Sequence, residues 1–118
     1  MITDWSSISA EFSFSTLKPT VFIDTPMKVS NKNWEKLGIT PTDISLRNEI
    51  GVSYDPKNLS GLADTVADVV ANPEKWAQQI SDVRERTIYN LGKGGEVAGE
   101  YLLNTMLEKQ AARRNETK

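Results

Sequence analysis

Up to residue 55 the apolar positions come in short bursts; beyond it they recur at helical spacing. Met1-Ile2-Thr3 reads as the end of a strand. Ile8, Phe12 and Leu17, with Ala10 and Phe14 nearby, space out a short helix from Ser6 to about Leu17 with a broad buried face. Its serine content is high for a helix. Lys18-Pro19 stops it, because proline lacks the amide hydrogen a continuing helix needs. Thr20-Val21-Phe22-Ile23 is an unbroken apolar, β-branched run, the pattern of a central parallel strand buried on both faces. Asp24-Thr25-Pro26 turns away from it.

The segment 25–45 is weakly patterned. Ser30 to Leu37 allows a helical turn around Trp34, Thr40-Pro41-Thr42-Asp43 marks a turn, and Asp43 to Glu49 is ambiguous. Gly51-Val52-Ser53-Tyr54 reads as a short strand closed by Asp55-Pro56. Leu59, Leu62, Val66, Val69 and Val70 then share a helix face. Asn72-Pro73-Glu74 restarts the chain as a second helix, with Asn as N-cap, Pro at the first helical position and an acid in the first turn. Trp76, Ile80, Val83 and Thr87 continue it. Gly92-Lys93-Gly94-Gly95 breaks that helix, and a last one begins near Glu96, carrying Val97, Ala98, Tyr101, Leu102, Met106 and Leu107. A polar tail from Gln110 to Lys118 is expected to fray.

The order strand, helix, strand, loop, strand, helix, helix, helix predicts an α/β fold: about three parallel strands with right-handed crossovers, followed by C-terminal helices. One domain over 1–110 and a tail over 111–118 is the expected division. Three strands leave an open sheet edge and uncovered apolar surface, so marginal stability or self-association is expected.

Composition narrows the chemistry. The 118 residues are 38% hydrophobic, within the globular range, and the net charge is −2. That balance argues against a nucleic-acid partner, which calls for a basic patch. The chain has neither cysteine nor histidine. Disulfides and thiolate metal sites are excluded, and the commonest general base and metal ligand is missing. The acids are scattered, so no metal site and no cofactor is expected. No apolar run reaches the ~18 residues of a membrane span and no signal peptide is visible, so a cytoplasmic location is the default. The basic tail around Arg113 and Arg114 allows peripheral contact with anionic lipid at most, diluted by Glu108 and Glu116.

The candidate site is Asp4-Trp5-Ser6-Ser7, where a strand turns into a helix. A hydroxyl-rich helix start presents free backbone N–H groups and the positive end of the helix dipole, a ready phosphate site. On the residues alone an ordinary N-cap is the better explanation of Asp4, Ser6 and Ser7, and the two roles are compatible. Glu11, four residues after Ser7 on the same helix face, is either an acceptor for a ligand hydroxyl or a solvated surface acid. Asp24 and Thr25 end a predicted strand, the edge where open α/β sheets bind ligands; a turn-forming Asp is the plain alternative. The Gly92–Gly95 cluster lacks Walker spacing and follows no strand. Lys18, Arg84, Arg86, Arg113 and Arg114 read as solvated or helix-end charges, and Trp34 and Trp76 as fillers of core or interface space.

Met1 to Ser7, Glu11-Phe12, and Lys18 to Asp24 together resemble the C-terminal half of the CDP-glycerol glycerophosphotransferases. That family shows a Thr-Asp-Tyr-Ser-Ser segment, an acid four positions after the second Ser, and a Lys-Pro strand some ten residues on. Here Trp5 stands for the Tyr and Glu11 for the more usual Asp. Gly51 to Pro56 with the helix to Asn72, and Tyr89 to Gly92 before the last helix, are similar to the end of GT-B glycosyltransferases. The resemblance covers about residues 1–107.

It implies a partial Rossmann-like C-terminal half of a GT-B transferase, the half that holds the nucleotide donor. Asp4, Ser6, Ser7 and Glu11 would then bind the donor and its phosphates, with Asp24 and Thr25 lining the cleft and no catalytic residue in this chain. The implied reaction moves glycerol phosphate, or a related polyol or glycosyl group, from a CDP-activated donor to a hydroxyl acceptor in cell-surface polymer synthesis. The family's essential histidines lie upstream of the Asp-x-Ser-Ser segment. The expected partners are therefore CDP-glycerol or a related nucleotide donor and a missing N-terminal half or upstream-encoded chain. A nucleotide-sugar-dependent variant and a non-catalytic interaction module are the alternatives.

Overall fold

β-branched and aromatic residues at Thr20–Ile23 (β2) place this strand at the centre of a three-stranded parallel sheet. Ile2–Thr3 (β1) pairs on one side of it and Gly51–Tyr54 (β3) on the other, with Ile2 opposite Val21 and Val21 opposite Val52. The computed structural model describes residues 1–27, 29 and 31–116, leaving aside the side chains of Leu59 and Glu116. Ser30, the start of the expected turn around Trp34, and the last two residues of the tail lie outside that description. The chain is 62% helical and forms two compact units, Met1–Arg84 and Glu85–Lys118. Among the described residues no helix is long and apolar enough to cross a membrane.

Helix α1 (Ile8–Thr16) connects β1 to β2, and Leu17 ends it in the left-handed conformation, φ 54°. Two four-residue helices, α2 (Thr42–Ser45) and α3 (Arg47–Ile50), resolve the ambiguous stretch before β3. A 3₁₀ turn at Trp34–Leu37 precedes them. Helices α4 (Leu62–Ala71) and α5 (Pro73–Thr87) follow β3. In the second unit, α6 (Gly94–Glu116) starts at the glycine pair and continues as regular helix past Gln110.

The alternating side chains of β2 serve two cores. Phe22 packs with Leu46, Ile50, Ile80 and Val83, joined by Ala10, Phe14, Leu17 and Trp76. Val21 packs with Tyr54 and Val69, joined by Leu62 and Val66. Helices α1, α3 and α5 thus supply one core and α4 the other. Each buried Val, Leu, Ile or Phe contributes roughly 1.5–3 kcal/mol through its removal from water.

Helix α1 packs Ala10, Phe14 and Leu17 against the core as expected, but the residues it buries most deeply are serines. Its buried residues are Ser9 and Ser13, while Ile8 is half exposed. Small side chains let the helix lie close to β2, and the hydroxyls are satisfied there. Ser9 Oγ donates to the Ser6 carbonyl, and Ser13 Oγ lies 3.2 Å from Thr20 Oγ1. The high serine content of α1 is its docking surface. Arg84, expected as a helix-surface charge, instead donates from Nη1 to the Phe14 carbonyl at 2.9 Å, and so satisfies the last turn of α1. Asn72 holds the N-cap position of α5, its carbonyl accepting from Trp76 N–H, but its side chain turns back to the Asp68 carbonyl of α4.

The sheet ends at β1. Ile2, Phe12, Val21, Val66, Val69 and Val70 line an apolar groove of about 620 Å³ along that open edge. Val70, expected on the buried face of α4, is 68% exposed there.

Candidate functional site

At the carboxyl edge of the sheet the turns after β1 and β2 converge on Arg47, the first residue of α3. Its guanidinium is buried, with a side-chain exposure of 6%. Nη1 donates to the Asp4 carbonyl at 2.9 Å, and Nη2 donates to Asp24 Oδ1 at 2.5 Å. The planar cation lies 3.9 Å from the centre of the Trp5 ring and 4.4 Å from that of Phe22. Both rings present their negative faces to it, a favourable arrangement that strengthens out of water. Trp5 is itself held, donating from Nε1 to the Thr25 carbonyl at 2.6 Å. One arginine therefore ties the loop after β1, the loop after β2 and the start of α3 together.

The local sequence explains the convergence. Parallel strands deliver their following loops to the same edge, so Asp4-Trp5 and Asp24-Thr25 meet without any connection between them. Leu46 and Ile50 flank Arg47 in sequence and both sit in the core, which draws the arginine in with them. A charge taken so far from water requires a partner, and Asp24 supplies it from a half-exposed position.

Beside this cluster lies a cleft of about 140 Å³ lined by Trp5, Ser6, Ser9, Phe22, Ile44 and Arg47, among others. Ser6 is half buried in its wall. Ser7 is exposed at the N-cap position of α1, where its carbonyl accepts from Ala10 N–H and its side chain makes no capping bond. Glu11 is exposed in the first turn of α1 and lies outside the cleft lining. Of the sequence-derived site residues, the fold gathers Asp4, Ser6, Asp24 and Thr25 at one corner. It leaves Ser7 and Glu11 on the outer rim of α1.

Arg47 was missed in the sequence. The available signal was a lone cation between two core-forming residues, Leu46 and Ile50, in a segment too short to show a period. Among the described residues no group of three or more carboxylates gathers where it would hold a metal ion. The larger apolar groove lies near Met1 and Pro19, at the opposite, amino edge of the sheet, and offers almost no polar group to orient a ligand. Comparison with known proteins gives no matching family model, no matching curated protein and no matching solved structure.

Proposed function

We propose that the corner between β1 and α1 binds the anionic diphosphate of an activated donor, and that the chain is the donor-binding part of a transferase of the CDP-glycerol glycerophosphotransferase kind. In this reading the sheet is part of a Rossmann-like half of a GT-B enzyme. The observation that carries it is the placement of Ser6 and the start of α1 beside a cleft backed by the buried Arg47 cation. The amides of an α-helix's first turn, the helix dipole and a fixed guanidinium all favour negative charge.

The chemistry follows from that placement. An acceptor hydroxyl attacks the phosphorus that carries the glycerol. The bond to the bridging oxygen breaks, and CMP leaves with the electron pair. Ser6, Ser7 and the Ile8 amide at the start of α1 hold the diphosphate oxygens, and Arg47 offsets the charge that builds on the leaving group. Asp4 orders the loop through its carbonyl, and Glu11 on the rim accepts from a glycerol or ribose hydroxyl. Proton removal from the acceptor falls to a group outside this chain, so the isolated chain binds donor without turning it over. A nucleotide sugar offers the same diphosphate and is the closest variant. The site is cytoplasmic, at the inner face of the membrane where such donors are spent.

Isothermal titration of the purified chain with CDP-glycerol, CDP and UDP-glucose tests the reading. CDP-glycerol and CDP are expected to bind, with affinity lowered by Ser7→Ala and by Ser6→Ala. Absence of binding by all three, or binding unchanged in both variants, removes the site. A second reading, a non-catalytic interaction module, is favoured by one observation: both charged ends of the Arg47–Asp24 pair are already engaged as a clamp between loops.

A further inference from the structure

The middle of α6 is crowded with large apolar side chains, and Val97, Tyr101, Leu102, Leu103, Met106 and Leu107 are all exposed. Apolar surface of this density marks an interaction site. At 3.6 residues per turn, Leu102, Leu103, Met106 and Leu107 fall on one side of the helix together with Gly95, Gly99 and Gln110, in a stripe about 140° wide. The charges are ordered along the same helix. Glu96 and Glu100 lie toward its start, and Lys109, Arg113 and Arg114 toward its end; Glu108 and Glu116, also toward the end, fall off the stripe.

We infer that α6 pairs antiparallel with α6 of a second copy of this chain, about a two-fold axis at the level of Asn104 and Thr105. The helical wheel sets the register. In an antiparallel pair with two-fold symmetry, residues on the same flank of the stripe meet each other. Leu103 and Leu107 share one flank, Leu102 and Met106 the other, and each pair is centred within about half a residue of the axis. Leu103 therefore faces Leu107 of the second copy, and Leu102 faces Met106. Gly99 and Gln110 lie along the centre of the stripe and oppose each other, the missing side chain of the glycine leaving room for the longer amide. Glu96 and Arg114 share a flank and meet across the pair at both ends.

The charge order selects the occupant and its direction. Reversed, the helix is complementary to itself: acid meets base at each end, and the two helix dipoles oppose. A parallel pair sets Glu96 level with Glu96 and Arg114 level with Arg114 and aligns the dipoles. Every contact in the antiparallel pair occurs twice, as an isologous interface requires. The interface stands independently of the donor-site reading.

The natural absence of cysteine makes the test direct. Gly99→Cys and Gln110→Cys are prepared singly in the full chain and oxidised alone and as an equimolar mixture. The mixture is expected to give a disulfide-linked heterodimer, while each variant alone stays uncrosslinked, because like positions lie roughly 16 Å apart along an antiparallel pair. Sedimentation equilibrium is expected to show a dimer for the parent chain and a dissociation constant at least roughly tenfold higher for Met106→Glu. Far-UV circular dichroism on each variant reports that the helices are retained. A monomer at every concentration reached, self-crosslinking of both single variants, or a dimer indifferent to Met106→Glu overturns the proposal.

Discussion

The hydroxyls of Ser13 and Thr20 meet at 3.2 Å, both residues wholly buried, where helix α1 crosses the central strand. The pair is a polar contact in an otherwise apolar layer, and it fixes how closely the helix approaches. Ser13→Leu adds a large side chain where the two backbones already converge. It is expected to cost about 1–3 kcal/mol through overpacking, although leucine is the better helix former. Ser13→Ala keeps the approach but strands the Thr20 hydroxyl, for a loss of about 1 kcal/mol. Urea melts of the two variants against the parent check the order, leucine worse than alanine.

Arg47 is expected to behave as a clamp whose value depends on Asp24. Asp24→Asn leaves a buried guanidinium with its neutralising partner gone. The half-exposed carboxylate was screened by water, so the loss is about 1–2 kcal/mol rather than the larger figure for a fully buried pair. Arg47→Met removes the cation together with its bonds to Asp4 and Asp24, at a cost of about 2 kcal/mol, since the methionine still packs against Trp5 and Phe22. In the double variant the two losses are expected to fall short of their sum, because the second substitution then removes a group with no partner left. Arg47→Lys is expected to behave nearly as badly as Arg47→Met, since one ammonium cannot span both acceptors from the same stem. Thermal melts of the four variants measure this, and strictly additive losses contradict the clamp.

Parts of this architecture are open to reading from the chain alone. Thr20–Ile23 is apolar on both sides of its alternation, which only a strand covered on both faces tolerates, and it is the central strand. Gly51–Tyr54 was bounded by its own turn residues. The loops that gather at the corner follow from strand ends in a parallel sheet, so Asp4, Ser6, Asp24 and Thr25 were within reach. The burial of Ser9 and Ser13 in α1 was not. Periodicity weighs apolar residues, and here Ser9 and Ser13 are buried because their hydroxyls find partners in the fold. Arg47 was hidden for a related reason. Its partners lie 43 and 23 residues away, and nothing local distinguishes a clamped cation from a solvated one. Helices as short as α2 and α3 complete barely one turn, too little for a period to show.

Gly51 opens β3 where the chain has no room for a side chain. A Cβ there would fall on the Thr20 carbonyl oxygen of the neighbouring strand. The backbone is extended at this residue, so the constraint is space rather than dihedral strain. Gly51→Ala is expected to push β3 away from β2 and to cost at least about 2 kcal/mol. Gly94→Ala at the start of α6, where nothing lies within 4 Å, is expected to be neutral or stabilising by up to about 1 kcal/mol. Chemical denaturation of the two variants compares a crowded glycine with an open one, and equal effects would remove the steric account.

The open edge at β1 carries a separate liability. Ile2 is 53% exposed, lines the apolar groove and belongs to a strand with a row of unpaired backbone groups on its outer side. Such an edge accepts further strands from other molecules, and a charged side chain there blocks the approach. Ile2→Lys is expected to slow aggregation during heating and to reduce binding of an apolar dye. Its cost in stability should stay below about 1 kcal/mol, because half of the side chain is already in water. Val21→Lys, one strand inward and 3% exposed, is expected to prevent folding instead, since it places an ammonium in the second core with no acceptor. Light scattering during a thermal ramp and dye fluorescence at low temperature distinguish the two positions. Equal aggregation of the parent and Ile2→Lys would place the liability elsewhere on the surface.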